Sequence, residues 1–204
     1  PMNQSKSADC DVAPFNAKVS ADVLAKAQPG DLMILPSLRI ERYTDQWENF
    51  GISNMQEKMH GPHNQALRKA ATEDALIWLE PFAKRGMNIV FIAPPPVFQS
   101  PTFRCADWFN RHHPICKSGL SMSKSELLAL RAPIFDQIRT LQQQLPKVYS
   151  WDPFEILCPG DTCKAMVDGR PLFFDGDHLS NYGNGLLYQP FYQWLQKNHL
   201  LHAN

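Results

Sequence analysis

The sequence predicts an α/β protein, a three-layer α/β/α sandwich around a mainly parallel sheet. Stretches with helical spacing alternate with short apolar runs along the 204 residues. Those runs, Asp31-Leu32-Met33-Ile34-Leu35 and Asn88-Ile89-Val90-Phe91-Ile92-Ala93, are hydrophobic at nearly every position rather than at every second one. That pattern suits strands buried on both faces, as in parallel sheets covered by helices. The length fits one domain with a substantial core, so residues 1–204 are taken as a single unit.

Each element has its own signal. Residues 19–27 carry Val19, Val23, Leu24 and Ala27 at helical spacing and stop at Pro29-Gly30. Residues 31–35 form the first visible strand. Residues 37–63 are polar and aromatic without a period and read as irregular. Residues 65–84 read as a helix with Leu67, Ala71, Leu76, Leu79 and Phe82 as core contacts. Pro81 can kink its end, and Gly86 suits its C-terminal cap. Residues 88–93 are the clearest strand, ended by Pro94-Pro95-Pro96. Residues 97–122 read as a long loop, of a length that is usually functional or stapled. Ser123 and Glu126 form a capping-box pattern ahead of Leu127, Leu130, Ile134, Ile138, Leu141 and Leu145. Residues 147–151 read as a strand, and Val167-Asp168-Gly169-Arg170 as a hairpin turn leading into residues 172–174. Residues 182–197 form a terminal helix that Pro190 can interrupt. Ligands of such folds sit beyond the carboxyl ends of the strands.

Composition excludes several classes. Twenty Lys plus Arg balance twenty Asp plus Glu, which removes the basic footprint of a nucleic-acid binder. No apolar run approaches the ~20 residues of a membrane-spanning helix, and residues 1–7 are too polar for a signal peptide. Five cysteines are present. Cys158 and Cys163 flank the turn sequence Pro-Gly-Asp-Thr, and Cys105 and Cys116 bracket a short Trp/His/Pro segment. Two such short-range pairs suit disulfides in an oxidising compartment. Reduced buried thiols and a zinc site using His112 and His113 are the alternatives, zinc ranking last because neither pair has C-x2-C spacing. Cys10 is left over, free or paired with a segment outside this chain. No metal site and no cofactor are expected.

The chemistry concentrates in Phe174-Asp175-Gly176-Asp177-His178-Leu179-Ser180-Asn181-Tyr182-Gly183. A carboxylate three residues before an imidazole can fix its tautomer, which is what a general base needs. An isolated D-x-x-H is more often a surface turn. Here it precedes Leu-Ser-x-x-Gly and follows an ordered set of strands, which favours the catalytic reading. Asp177 is a second candidate for the orienting carboxylate.

This block, together with residues 29–35, residues 89–96 and Trp151-Asp152-Pro153 leading to Cys158 and Cys163, resembles a known family. The chain is similar to SGNH (GDSL-like) hydrolases, and most of all to the periplasmic SGNH domain fused to bacterial acyltransferase-3 membrane proteins. The resemblance covers roughly residues 20–195 and is most specific at the C-terminal block. It implies an SGNH/flavodoxin-like fold and a Ser-His-Asp acyl-enzyme mechanism with His178 as base and Asp175 as its orienting carboxylate. It also implies O-acetylation of a cell-surface glycan such as O-antigen. The acetyl donor would arrive through a membrane acyltransferase domain, and the chain would be the periplasmic part of an inner-membrane protein.

The chain departs from the pattern in two places. It contains no Gly-Asp-Ser: Gly30-Asp31 continues into Leu32 and Gly160-Asp161 into Thr162. In family order the serine block would precede residue 1, so the domain is expected to lack its first strand and helix here and to depend on an N-terminal segment carrying the serine. The Gly-x-Asn-Asp block is absent too, the corresponding residues being Pro36-Ser37-Leu38-Arg39. Arg39 and Ser37 are candidates for contacting substrate or the oxyanion. Trp47, Trp108 and Phe109 are candidate sugar-stacking or core aromatics, and His60, His63, His112 and His113 read as solvated loop residues. A carbohydrate O-acetyl esterase using the same triad, and a non-catalytic glycan-binding module, are the alternatives. The residues preceding Pro1 discriminate enzyme from module.

Overall fold

The computed structural model describes residues 12–36, 40, 43, 48–117 and 119–201. Its centre is a parallel sheet of strands β1 (Leu32–Leu35), β2 (Asn88–Ile92) and, last in the sheet, β4 (Val148–Trp151), in the order β1-β2-β4. Ile89 lies opposite Met33 on one side and Val148 on the other, and Phe91 lies opposite Leu35 and Ser150. These residues share one face, and Val90, Ile92, Tyr149 and Trp151 share the other.

Helices α1 (Val12–Lys26), α3 (Pro62–Lys84) and the C-terminal half of α5 (Lys124–Gln144) cover the first face. There Leu79 and Phe82 pack with Ile89, Phe91, Leu141 and Val148. Helix α7 (Asn181–Lys197) covers the second face through Leu187, Phe191 and Leu195 against Val90 and Trp151. Burial of each large apolar side chain is worth roughly 2 kcal/mol, and this two-sided burial is why the strands read as unbroken apolar runs. The three-layer arrangement with a parallel sheet is the one the sequence predicts.

Several elements differ in detail from the sequence reading. The first helix begins at Val12, a turn and a half or more before the period is visible. Residues 37–63 are not wholly irregular: α2 (Ile52–His60) lies there and buries Met55 and Met59, the apolar pair of an otherwise polar stretch. Leu67 is 45% exposed and contributes no core contact, whereas Leu79 and Phe82 do. Helix α3 starts at Pro62, a proline suited to a first turn. Helices α3, α5 and α7 continue through Pro81, Pro133 and Pro190, so Pro190 does not interrupt the terminal helix. Ser123 sits at the start of α5 but its hydroxyl pairs with Ser125 at 2.8 Å rather than capping the helix. The long loop 97–122 contains α4 (Thr102–Ala106), a 3-10 turn (Pro114–Cys116) and β3 (Ser121–Ser123). Strand β3 pairs antiparallel with β5 (Thr162–Lys164).

Beyond β4, the short α6 (Phe154–Leu157) leads to Cys158. Strands β6 (Met166–Val167) and β7 (Arg170–Pro171) form the hairpin. Asp168 and Gly169 both have positive φ, 49° and 74°, as a type I′ turn requires. Cys105 is bonded to Cys116 and Cys158 to Cys163, each at an S–S distance of 1.97 Å. Neither pair therefore offers a thiolate to zinc. Among the described residues, no helix is long and apolar enough to cross a membrane.

Candidate active site

Leu172 and Phe173 are buried, and Phe173 bridges back to Leu179, closing residues 174–178 into a tight loop. Phe174 N–H donates to the carbonyl of His178 at 2.7 Å. Asp175 folds its carboxylate inside this loop. Its Oδ1 accepts the backbone N–H groups of Asp177 and His178 at 2.9 and 2.7 Å. Its Oδ2 lies 2.8 Å from His178 Nδ1. One carboxylate thus fixes the backbone of the loop and the imidazole that the loop carries.

Burial pushes the Asp175 carboxyl up, but the two backbone N–H groups and the imidazole outweigh it and hold it below the usual value. The group stays ionised and acceptor-only, which fixes the proton on Nδ1 and assigns Nε2 the role of taking a proton. Asp177 Oδ1 lies 3.2 Å from the same Nδ1, within ion-pair range, with its side chain 6% exposed. One N–H has one best acceptor, and the shorter contact belongs to Asp175. The second carboxylate adds negative potential beside an imidazolium. These three residues could together offer ligands to a metal, yet the carboxylate of Asp175 and the Nδ1 of His178 are already spent on each other and on the backbone.

The loop leads directly into α7. Ser180 is its N-cap: the hydroxyl accepts from Gly183 N–H at 3.0 Å and donates to the carbonyl of Pro171 at 2.6 Å. Ser180 is therefore a structural serine. A Cβ on Gly183 would overlap the carbonyl oxygen of Leu172, so only glycine lets the first turn of α7 lie against Leu172. The Asp-x-x-His-Leu-Ser-x-x-Gly pattern thus encodes one local unit: carboxylate, imidazole, cap and close approach.

The loop is tied to the chain leaving the carboxyl end of β2. Phe98 N–H donates to Gly176 O at 2.7 Å, Phe103 N–H to Phe174 O at 2.9 Å, and Thr102 Oγ1 to Asp175 O at 3.1 Å. The Phe98 and Phe173 rings pack at 5.0 Å. Arg131 is a further residue that sequence reading does not single out. It is 1% exposed, donates Nε to Pro94 O at 2.9 Å, pairs with Asp152, and lies 4.0 Å from the Phe154 ring centre. It joins the ends of β2 and β4. Its signal is slight, a lone Arg on the apolar stripe of α5.

Other candidates fall elsewhere. Ser37, Arg39, Trp47 and Cys10 lie outside the described residues. Trp108 and Phe109 are 77% and 63% exposed and meet edge-to-face at 5.7 Å, so they are not core aromatics. His113 caps the 3-10 turn, accepting from Ile115 N–H. His60 and His63 are exposed as expected, but they lie in α2 and α3 rather than in a loop. A groove of about 700 Å³ between α3 and α5, lined by Arg68, Thr72 and Gln137 among others, includes no residue of the His178 loop.

A three-layer α/β fold with an Asp-x-x-His loop at the C-terminal side defines the class of SGNH-type domains. The chain belongs to this family: residues 1–193 match the model of the SGNH domain fused to AT3 domains. Among solved structures it is similar to the periplasmic domain of a lipopolysaccharide acetyltransferase from Salmonella ser. Paratyphi A. The TM-score is 0.56 and the identity 16%, over 92% of this chain and 64% of that one. At that identity the likeness speaks to fold. No curated protein matches the chain.

Proposed function

We propose that this chain supplies the base half of an acyl-transfer site, with His178 as general base and Asp175 as the carboxylate that orients it. The observation that carries the reading is the double use of Asp175, whose Oδ2 holds His178 Nδ1 at 2.8 Å while Oδ1 holds two backbone N–H groups. The reaction is acetyl transfer to a hydroxyl of a cell-surface glycan, in keeping with the acetyltransferase named for the similar solved domain.

The chemistry runs in two halves. A serine Oγ attacks the acyl carbonyl as His178 Nε2 takes its proton, and the tetrahedral adduct collapses to an acyl-serine as the leaving group receives that proton. A glycan hydroxyl then attacks the acyl-serine, again losing its proton to Nε2, and the serine leaves with that proton as the acetylated glycan forms. Asp175 stabilises the imidazolium in both halves. The serine comes from a segment outside residues 12–201 and adds a strand beside β1. Two observations support this. Among the described residues β1 pairs only with β2. Its Ile34 is 41% exposed, an unusual place for an apolar strand residue of a buried sheet. Residues 1–204 then belong to one SGNH-type domain that this strand completes. An AT3 domain delivers the acetyl donor, in keeping with the fusions that define the family. The two disulfides fit a periplasmic location.

The test is His178→Ala in the intact protein, measuring acetyl incorporation into its surface glycan. Transfer should fall by several orders of magnitude, on the scale seen for triad bases, with an unchanged melting temperature. Retained transfer overturns the assignment.

A further inference from the structure

Three consecutive carbonyls of the His178 loop, those of Phe174, Asp175 and Gly176, are each held by residues 98–103. Two of the donors are backbone N–H groups, which almost any residue could supply. The third is the hydroxyl of Thr102, and this contact alone is specific to a side chain. Thr102 is 0% exposed. A hydroxyl buried so completely is costly unless it is bonded, and its bond runs to the carbonyl of Asp175 at 3.1 Å. It plays no part in capping its own helix, where Pro101 occupies the cap position without a side-chain bond.

We propose that Thr102 is a positioning residue for the Asp175–His178 pair, its hydroxyl setting the backbone from which Asp175 reaches the imidazole. The inference rests on the base assignment above. The far side of residues 98–103 is anchored in turn. Gln99 and Ser100 N–H donate to Gly119 O at 3.1 and 3.2 Å, and Ser100 Oγ donates to Ile115 O. Cys105 N–H donates to Pro101 O at 3.1 Å, and Cys105 is bonded to Cys116. The disulfide loop is thus the brace behind Thr102, and Thr102 is the side chain through which that brace meets the base. A misplacement of about 1 Å in a catalytic group can cost on the order of a hundredfold in rate.

Thr102→Val removes the donor at nearly constant volume, and Thr102→Ser keeps it. Two readouts decide. With p-nitrophenyl acetate as acyl donor and the intact protein, Thr102→Val should lower kcat on the order of tenfold with KM nearly unchanged. Thr102→Ser should stay close to wild type. In proton NMR the hydrogen-bonded Nδ1 proton of His178 should broaden or vanish in Thr102→Val and persist in Thr102→Ser. Wild-type kcat and an unchanged resonance in Thr102→Val overturn the proposal. So does a Thr102→Ser protein as impaired as the Val variant, because packing of the methyl would then be the cause. Should Thr102→Val fail to fold, Thr102→Ala is read in the same way: lowered kcat with loss of the Nδ1 resonance is expected, and wild-type values of both overturn the proposal. Turnover retained in His178→Ala sinks the base assignment instead, and the NMR comparison then judges Thr102 independently.

Discussion

At the scale of single residues, Asp175 holds the backbone with one oxygen and the imidazole with the other, so its ionisation is linked to folding. Its native carboxyl titrates below the ordinary value of 3.8, because three hydrogen bonds outweigh the upward push of burial. A group with a depressed native pKa adds stability above its unfolded value and loses it as pH falls through the native one. The melting-temperature advantage of wild type over Asp175→Asn should therefore hold near neutrality and shrink as pH drops below about 4. A constant advantage across that range would contradict the linkage. Asp175 and His178 were legible in the sequence because the groups that the Asp175 carboxylate holds lie within three residues of it. Thr102 was not, since its partner is 73 residues away.

At the scale of elements, strands and long helices follow from apolar runs and periodicity, and the differences have local causes. Helix α2 escapes notice because Met55 and Met59 are its only buried positions. Loop 97–122 hides α4 and β3, whose shortness leaves no period to detect. Three helices pass through proline because packing of their remaining turns offsets the lost hydrogen bond. Arg131 shows how an element can bind the rim of the sheet together: from α5 it reaches Pro94 beyond β2 and Asp152 beyond β4, with its side chain 2% exposed. Asp152 keeps 40% of its side chain in water, so Arg131→Ala strands no buried charge; it removes the bond to Pro94 and the packing on Phe154. It should lower stability by about 1–3 kcal/mol in urea denaturation. A loss below about 1 kcal/mol, typical of an exposed pair, would show that the linkage does not hold the rim.

At the scale of the whole molecule, the sheet, its two helical faces and the braced His178 loop form a complete support for a base. The nucleophile is the component that the described residues do not place beside it. The proposed serine follows a further strand, and among the described residues β1 has an edge that such a strand would fit. The organisation of the site was legible because its C-terminal block is contiguous. The position of its serine was not, because that depends on strand pairing across the fold. The direct measurement is covalent labelling of the intact protein with a fluorophosphonate, which reacts with an activated serine by displacement of fluoride, followed by peptide mapping. The adduct should fall on a serine outside residues 12–201, and His178→Ala should abolish it. An adduct on any serine within residues 12–201, Ser37 included, or labelling that survives His178→Ala, would contradict the account.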